Sequence, residues 1–348
     1  MTDCNPEPLR FSTLGPKAVV ADFQGGRLTT DAGALLVREI ADRLGLFDAL
    51  DAAIPDPRHP VFIVHDQRAL LAQRITAIAL GYEDLNDHQT LRTDPALQVA
   101  AGRAPDPEST LASPPTPCRL ENRVDREALV RVAGVLVDQF IAAHPEPPEH
   151  LTLDFDATDD PVHGKQERRF FHGYYDHHCF LPLYVFCGDE LLVAYLRPSN
   201  IDASKHARAV LKLLVRRLRA AWPGVRITIR GDSGFCRWRL MRWCDSQGIG
   251  YVLGLAKNPA LQRAARDEIE RAERQFRRSG QPQRVFGAFA YAAGSWDRPR
   301  RVIVKAEHTA RGPNPRFVVA NVPGEPQELY EDVYCQRGEA ENRIKEQQ

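Results

Sequence analysis

The order of strand-like and helix-like runs across residues 151–255 leaves few folds open to this chain. LTLDFDAT (151–158), FLPLYVFC (180–187) and ELLVAYLR (190–197) are short, apolar and bounded by turn-rich segments, as strands are. Only Gly188 and Asp189 separate the last two, a hairpin signal. A helix is expected over about 203–221, a buried strand at VRITIRGD (225–232), a second helix over about 237–247 and a strand at YVLGL (251–255).

Three strands joined by short turns and then alternating helix and strand is the order of a ribonuclease-H-like α/β fold, a mixed sheet flanked by helices. Residues 149–256 would form the first part of that core. The preceding 148 residues read as a helical N-terminal domain. Residues 29–50 open with Thr and Asp capping candidates, and 64–81 and 127–143 continue the helical spacing. The proline-laden stretch 102–118 is loop-like, and HPEPPEH (144–150) marks the expected boundary. Beyond the core strands come a charged helical run (260–278) and the strand-like RVFGAFAYAA, RRVIVKAEH and RFVVANV. These suit an inserted β-rich subdomain at 257–325. A final helix over 326–348 would complete the core, with neither cap nor stopping signal.

Composition narrows the function classes. Lys plus Arg and Asp plus Glu balance at 46 each, so nucleic-acid affinity must come from local clustering. No apolar run reaches the roughly 18 residues of a membrane span, and MTDCNPEPLR lacks the pattern of a signal peptide, so a cytoplasmic protein without membrane contact is expected. The seven cysteines are scattered without a C-x-x-C pair and read as reduced thiols. His177, His178 and Cys179 are a poor zinc site, because adjacent residues on an extended stretch point to opposite faces.

The acidic residues carry more. Asp154, Asp156 and Thr158 share one face of the first strand, since side chains alternate, and buried carboxylates there need a cation or donors. Asp232 ends RITIRGD, at the carboxyl-terminal strand edge where α/β sheets keep their sites, although it could instead cap the next helix. In YCQRGEAEN, Tyr334, Arg337 and Glu341 recur at steps of three and four, which puts an aromatic, a cation and a carboxylate on one helix face. A solvated helix face would show the same charges.

At these residues the chain resembles the DDE transposases of bacterial insertion sequences, specifically the YREK-type group with signature Y-x2-R-x3-E-x6-K. LDFDATDDPVHG, FFHGYYDHHCFLPLYVF, RGDSGF, AAGSWDRPRRVI, RGPNPRFVVANVP and YCQRGEAENRIKEQQ look like members of that group, as do RLTTDAGALL and GYEDLNDHQTLRTDPAL. The resemblance implies that Asp156, Asp232 and Glu341 are the catalytic, metal-binding carboxylates, with Asp154 the alternative for the first. It implies that Tyr334 and Arg337 contact DNA phosphate and shape the site. The signature Lys should fall seven residues after Glu341, where Gln348 stands, and Lys345 is the nearest substitute. The family's β domain between the second Asp and the Glu suits the 109 residues separating Asp232 from Glu341.

Such chemistry cuts a phosphodiester and joins its 3′ end to another strand. Both steps are in-line displacements that two Mg2+ or Mn2+ ions on carboxylate oxygens assist. The partners implied are the element's terminal inverted repeats and target DNA, held by a homodimer that acts at the nucleoid. Positive charge to hold DNA is available in a stripe, Lys205, Arg208, Lys212, Arg216 and Arg219, and in residues 257–311, where 13 basic residues face 6 acidic ones. Either set could also be an ordinary solvated face. Trp296, near Arg298, Arg300 and Arg301, could stack on an unpaired base or belong to the core. Two other functions fit the same residues: a structure-selective nuclease on this fold, and a truncated, non-catalytic DNA-binding inhibitor of transposition, since family members continue further past the catalytic helix.

Overall fold

The structure is a computed structural model that describes residues 9–14, 16–21 and 28–347. The chain forms two compact units, residues 1–135 and 136–348. The division falls within the helix Arg126–Ala142, whereas the sequence reading put the boundary at the prolines of 144–150.

The amino-terminal unit is largely helical, with one β element. Leu9–Leu14 and Lys17–Ala21 pair as an antiparallel hairpin. Helices Ala34–Leu44, Leu46–Ala53 and Gln67–Ala79 follow, the first ending at Gly45 in the left-handed conformation that glycine adopts freely. Asp66 caps the third by accepting from the Ala69 N–H at 2.7 Å. Pro115–Arg123 begins inside the stretch read as loop, because proline in the first turn needs no donor. Phe47, Leu70, Ala72 and Leu120 fill one core, and Leu91, Leu97 and Leu111 a second.

The carboxy-terminal unit holds a small three-stranded sheet, Asp160–Pro161, Phe170–His172 and His177–Phe180, and is built on one large sheet. Its strands are β1 (His150–Ala157), β2 (Leu183–Cys187), β3 (Glu190–Tyr195), β4 (Arg226–Gly231), β5 (Gly250–Leu255), β6 (Gln283–Tyr291), β7 (Arg300–Thr309) and β8 (Arg316–Ala320). Helix α1 (Ala207–Ala221) precedes β4, α2 (Trp238–Gln247) precedes β5 and α3 (Arg266–Ser279) precedes β6. The spatial order is β6-β7-β8-β5-β4-β1-β2-β3. β1 is parallel to β4 and β4 to β5, while β1–β2 and β2–β3 are antiparallel. The strands of 257–325, expected as an inserted subdomain, continue this sheet instead: β8 pairs antiparallel with β5, with Val252 opposite Ala320.

Alternation sorts the residues of the sheet onto two faces. Leu151, Leu153 and Phe155 of β1, Ile227 and Ile229 of β4, and Tyr251 and Leu253 of β5 enter the largest core together with Leu211, Leu214 and Leu218 of α1. The in-between residues face the other way. Val252 there meets Leu329 and Tyr330, and Phe186 meets Ala340 and Ile344. The last segment is not one continuous helix. It winds through Pro326–Glu328, a wide π-type stretch Leu329–Tyr334 and a tight turn Cys335–Arg337 before α4 (Gly338–Gln347).

Candidate active site

Asp156 is the penultimate residue of β1, and its Oδ1 accepts from the Ala157 N–H at 2.9 Å. Asp232 directly follows β4, the parallel neighbour of β1, and its Oδ1 accepts from the Gly234 N–H at 2.8 Å. That turn bond occupies Asp232 locally. Helix α2 starts from Arg237 without any side-chain cap, so Asp232 is not its capping residue. Glu341 comes from α4, on the sheet face opposite the main core. All three carboxylates, with Arg337 and Lys345, line one cavity of about 540 Å³.

The electrostatics of the cavity are strained. Burial pushes Asp156 up to about 6, the Arg337 guanidinium and the Ala157 N–H pull it back, and the charges of Asp232 and Glu341 raise it further. Arg337 is the counterweight: its Nη2 lies 2.6 Å from Glu341 Oε1, and its guanidinium sits 6.0 Å from the Tyr334 ring centre. Tyr334 is pushed up by burial and by the Asp232 charge.

Asp154, the alternative first carboxylate, is engaged elsewhere. It is 2% exposed and held by Arg230, with Nε–Oδ1 and Nη2–Oδ2 both at 2.6 Å. The remaining Nη1 of Arg230 donates to the Val333 carbonyl at 2.8 Å. This ion pair therefore ties the segment that carries Tyr334, Arg337 and Glu341 onto the sheet. The parallel register sets Asp154 directly opposite Arg230.

Two glycines make room for the site, and the sequence reading missed both. A Cβ on Gly254 would lie 2.6 Å from the Tyr334 hydroxyl and 2.9 Å from the Ser233 nitrogen. One on Gly234 would lie 2.9 Å from Asp232 Oδ1 and 3.3 Å from the Ala203 Cβ. The contacts under 3.0 Å, two at Gly254 and one at Gly234, are shorter than packing tolerates. Arg230, Arg197, Tyr174 and Tyr175 were also missed. Arg197 is 1% exposed and donates to the Leu181 carbonyl at 2.8 Å, the Ala203 carbonyl at 3.1 Å and the Lys205 carbonyl, which fixes two residues of the cavity wall. Period-two alternation in RITIRGD was the available signal for Arg230; an isolated arginine after β3 gave none for Arg197.

A family described as transposase DDE domain, group 1, matches residues 11–348. The chain belongs to this family. The comparison with curated proteins gives no match. Among solved structures, the cryo-EM piggyBac transposase synaptic complex with hairpin DNA is similar, at 12% identity over 89% of this chain and 67% of that one, with a TM-score of 0.42. A likeness that slight carries nothing about function.

In this transposase DDE domain the remaining expected residues fall into two groups. Lys345 lines the cavity. Lys205, Arg208, Lys212 and Arg216 are exposed on and just before α1, which starts beyond the wall residues Ile201, Asp202 and Ala203. Arg219 instead donates to the Gln247 carbonyl at 3.0 Å. Trp296 and Arg298 are not among the residues lining the cavity. Trp296 packs edge-on to Tyr291 at 5.6 Å with Arg300 over its ring, and Arg298 pairs with Asp245 at 2.7 Å. Much of the basic charge of 257–311 is likewise paired, as in Arg266–Glu270 and Arg277–Glu273 on α3. Gln348, at the signature Lys position, lies outside the described residues.

Among the described residues no three His, Cys, Asp or Glu side chains form a ready-made metal-holding group. Asp156, Asp232 and Glu341 share a cavity without converging on one point. As a donor set they still fit a hard divalent cation: they are carboxylate oxygens, and Asp156 is partly buried among like charges that a cation would relieve. His177, His178 and Cys179 lie apart in their roles: His177 meets Asp159 at 2.7 Å, His178 is exposed and Cys179 is buried. Among the described residues no helix is long and apolar enough to cross a membrane.

Proposed function

We propose that this transposase DDE domain cleaves DNA and joins the freed 3′ end to a second strand, with Asp156, Asp232 and Glu341 holding two Mg2+ or Mn2+ ions. The observation that supports it most is the meeting of three carboxylates from three separate elements in one cavity, beside Arg337 and Lys345. The strand order β3-β2-β1-β4-β5, with its parallel and antiparallel pairing, supports a ribonuclease-H-like core formed by 149–256 and 326–348. Residues 1–148 would serve DNA binding and dimerisation, and 257–325 would extend the core.

When bound, the metal ions stabilise charge on the attacking and leaving oxygens at phosphorus. The chain's own residues do the positioning. Asp156 and Asp232 sit at the ends of neighbouring parallel strands, so the sheet fixes their separation. Arg337 and Lys345 offer cations to phosphate oxygens. Arg337 also neutralises Glu341 and lowers the repulsion within the site. The exposed Lys205, Arg208 and Lys212 would hold the duplex backbone as it leaves the cavity.

The test combines a pre-cut element end, taken from the inverted repeats flanking the gene, with a target duplex and the full chain in Mg2+ or Mn2+. A joined product is expected. Asp156→Asn, Asp232→Asn and Glu341→Gln should each lower its rate by roughly 10³-fold, the scale of several kcal/mol in the barrier. Cutting without joining would make the protein a nuclease; binding without any nick would make it an inhibitor.

A further inference from the structure

The cavity has an aromatic wall that the metal-site reading leaves without a role. His172, Tyr174 and Tyr175 line it together with Asp156 and Asp232. They sit at the tip of a hairpin whose strands are Phe170–His172 and His177–Phe180. The tip is tightly built. The N–H groups of Tyr175 and Asp176 both donate to the His172 carbonyl, at 3.1 and 2.8 Å, and Asp176 takes a left-handed conformation at φ 59. Tyr175 lies near-parallel to His177, with centroids 6.1 Å apart and planes at 28°, and is flanked by His172 at 4.9 Å. His177 is braced in turn by Asp159. Tyr174 stands edge-on to Tyr175 at 5.0 Å and is 86% exposed.

A large ring left that exposed on a braced turn, facing a charged cavity, has its face free for another π-system. Trp296 does not offer this, since its ring is committed to Tyr291 and Arg300. We propose that the exposed face of Tyr174, held edge-on by Tyr175, is a shelf on which an unpaired nucleobase stacks, next to the phosphate lying at the carboxylates. Bases within a duplex have both faces covered by their neighbours, so only an end, a flap or an extruded nucleotide can use the shelf. Stacking reads the π-face common to every base, so the shelf holds a position rather than a sequence. Tyr175 keeps its proton throughout, because burial and the nearby carboxylates push its hydroxyl up to about 12.

The inference rests on the reading of this cavity as a DNA site, and the experiment separates the two. The full chain is titrated with three probes: a blunt duplex, the same duplex with a one-nucleotide 2-aminopurine overhang, and that overhang made abasic. Manganese-supported nicking of supercoiled plasmid is followed in parallel. Tyr174→Ala should weaken overhang binding by roughly tenfold while Tyr174→Phe does not, Tyr175→Ala should weaken it less by loosening the brace, and blunt-duplex binding should stay unchanged. Unmodified protein should lose the same factor on the abasic overhang, a result independent of how any variant folds. Equal affinity for base and abasic overhangs, or equal losses on blunt and overhang duplexes, overturns the shelf even if plasmid is nicked. Base-dependent binding with no nicking in Mn2+ would sustain the shelf while the catalytic reading falls.

Discussion

Arg230 grips Asp154 through two nitrogens, both 2.6 Å from carboxylate oxygens, and with its third reaches the Val333 carbonyl one residue before Tyr334. The pair is nearly dry, with side-chain exposures of 12% and 3%. Removing one partner of such a pair leaves a buried charge, so Asp154→Ala or Arg230→Ala should lower the unfolding free energy by about 3–5 kcal/mol. Urea denaturation measures this. Replacing both residues together, Asp154→Leu with Arg230→Met, should recover most of that stability. Strand joining should not recover, because the Val333 carbonyl then has no donor. An Asp154→Ala protein as stable as the parent but unable to bind Mn2+ would return Asp154 to the role of first carboxylate.

The exposed stripe before and along α1 makes a second prediction. Each phosphate neutralised by a lysine or arginine releases counterions and steepens the salt dependence of DNA binding by about 0.9 in log–log slope. Lys205→Ala, Arg208→Ala and Lys212→Ala combined should therefore flatten that slope by up to roughly 3, read by anisotropy on a duplex across a range of KCl. An unchanged slope would leave the stripe a solvated face.

How much of this was legible beforehand divides along physical lines. Period-two and period-3.6 patterns located β1, β3, β4, β5 and α2 within a residue or two, because each buries one apolar face, whereas β2 begins three residues and α1 four residues later than the pattern suggests. The same alternation put Asp154 and Asp156 on a shared face, yet it could not say which was free, since that depends on Arg230 arriving from a strand 76 residues away. The motif steps brought Tyr334, Arg337 and Glu341 to one site, although the backbone there is a π-type stretch and a tight turn rather than one regular helix. Strands β6 to β8 were visible as strands. Their joining to β5 was not, because pairing partners carry no local signal. The glycines at 234 and 254 were silent for a related reason: what excludes a Cβ there is a side chain or backbone brought in by tertiary folding.

The amino-terminal unit should lose stability in mild acid through His88. Its side chain is fully buried, Nδ1 lies 3.1 Å from Gln73 Nε2, and Nε2 is among the buried atoms without a hydrogen-bond partner. Burial, and then the Arg74 charge, push its pKa below the ordinary 6.5. Above about pH 6.5 both folded and unfolded chains hold it neutral, so it contributes no pH dependence there. As pH falls through that value the unfolded chain takes the proton first, and folding weakens. Urea unfolding from neutral pH down to about pH 5.5 should show this loss, and His88→Leu should show less of it whatever its own stability. Parallel curves for the two proteins would sink the assignment.

Gly254 offers the sharpest test of how the site is assembled. A methyl group there would meet the Tyr334 hydroxyl at 2.6 Å and the Ser233 nitrogen at 2.9 Å, one a side-chain tip and the other the backbone of the turn that carries Asp232. Gly254→Ala should cost about 1–3 kcal/mol in urea unfolding, the range for overpacking, and should lower strand joining more than tenfold as Asp232 is displaced. Adding Tyr334→Phe removes the first clash and leaves the second. The double variant should therefore regain part of the stability but little of the joining rate. Full recovery of joining would mean that Gly254 serves only the tyrosine, and that the Asp232 turn tolerates a neighbour on β5.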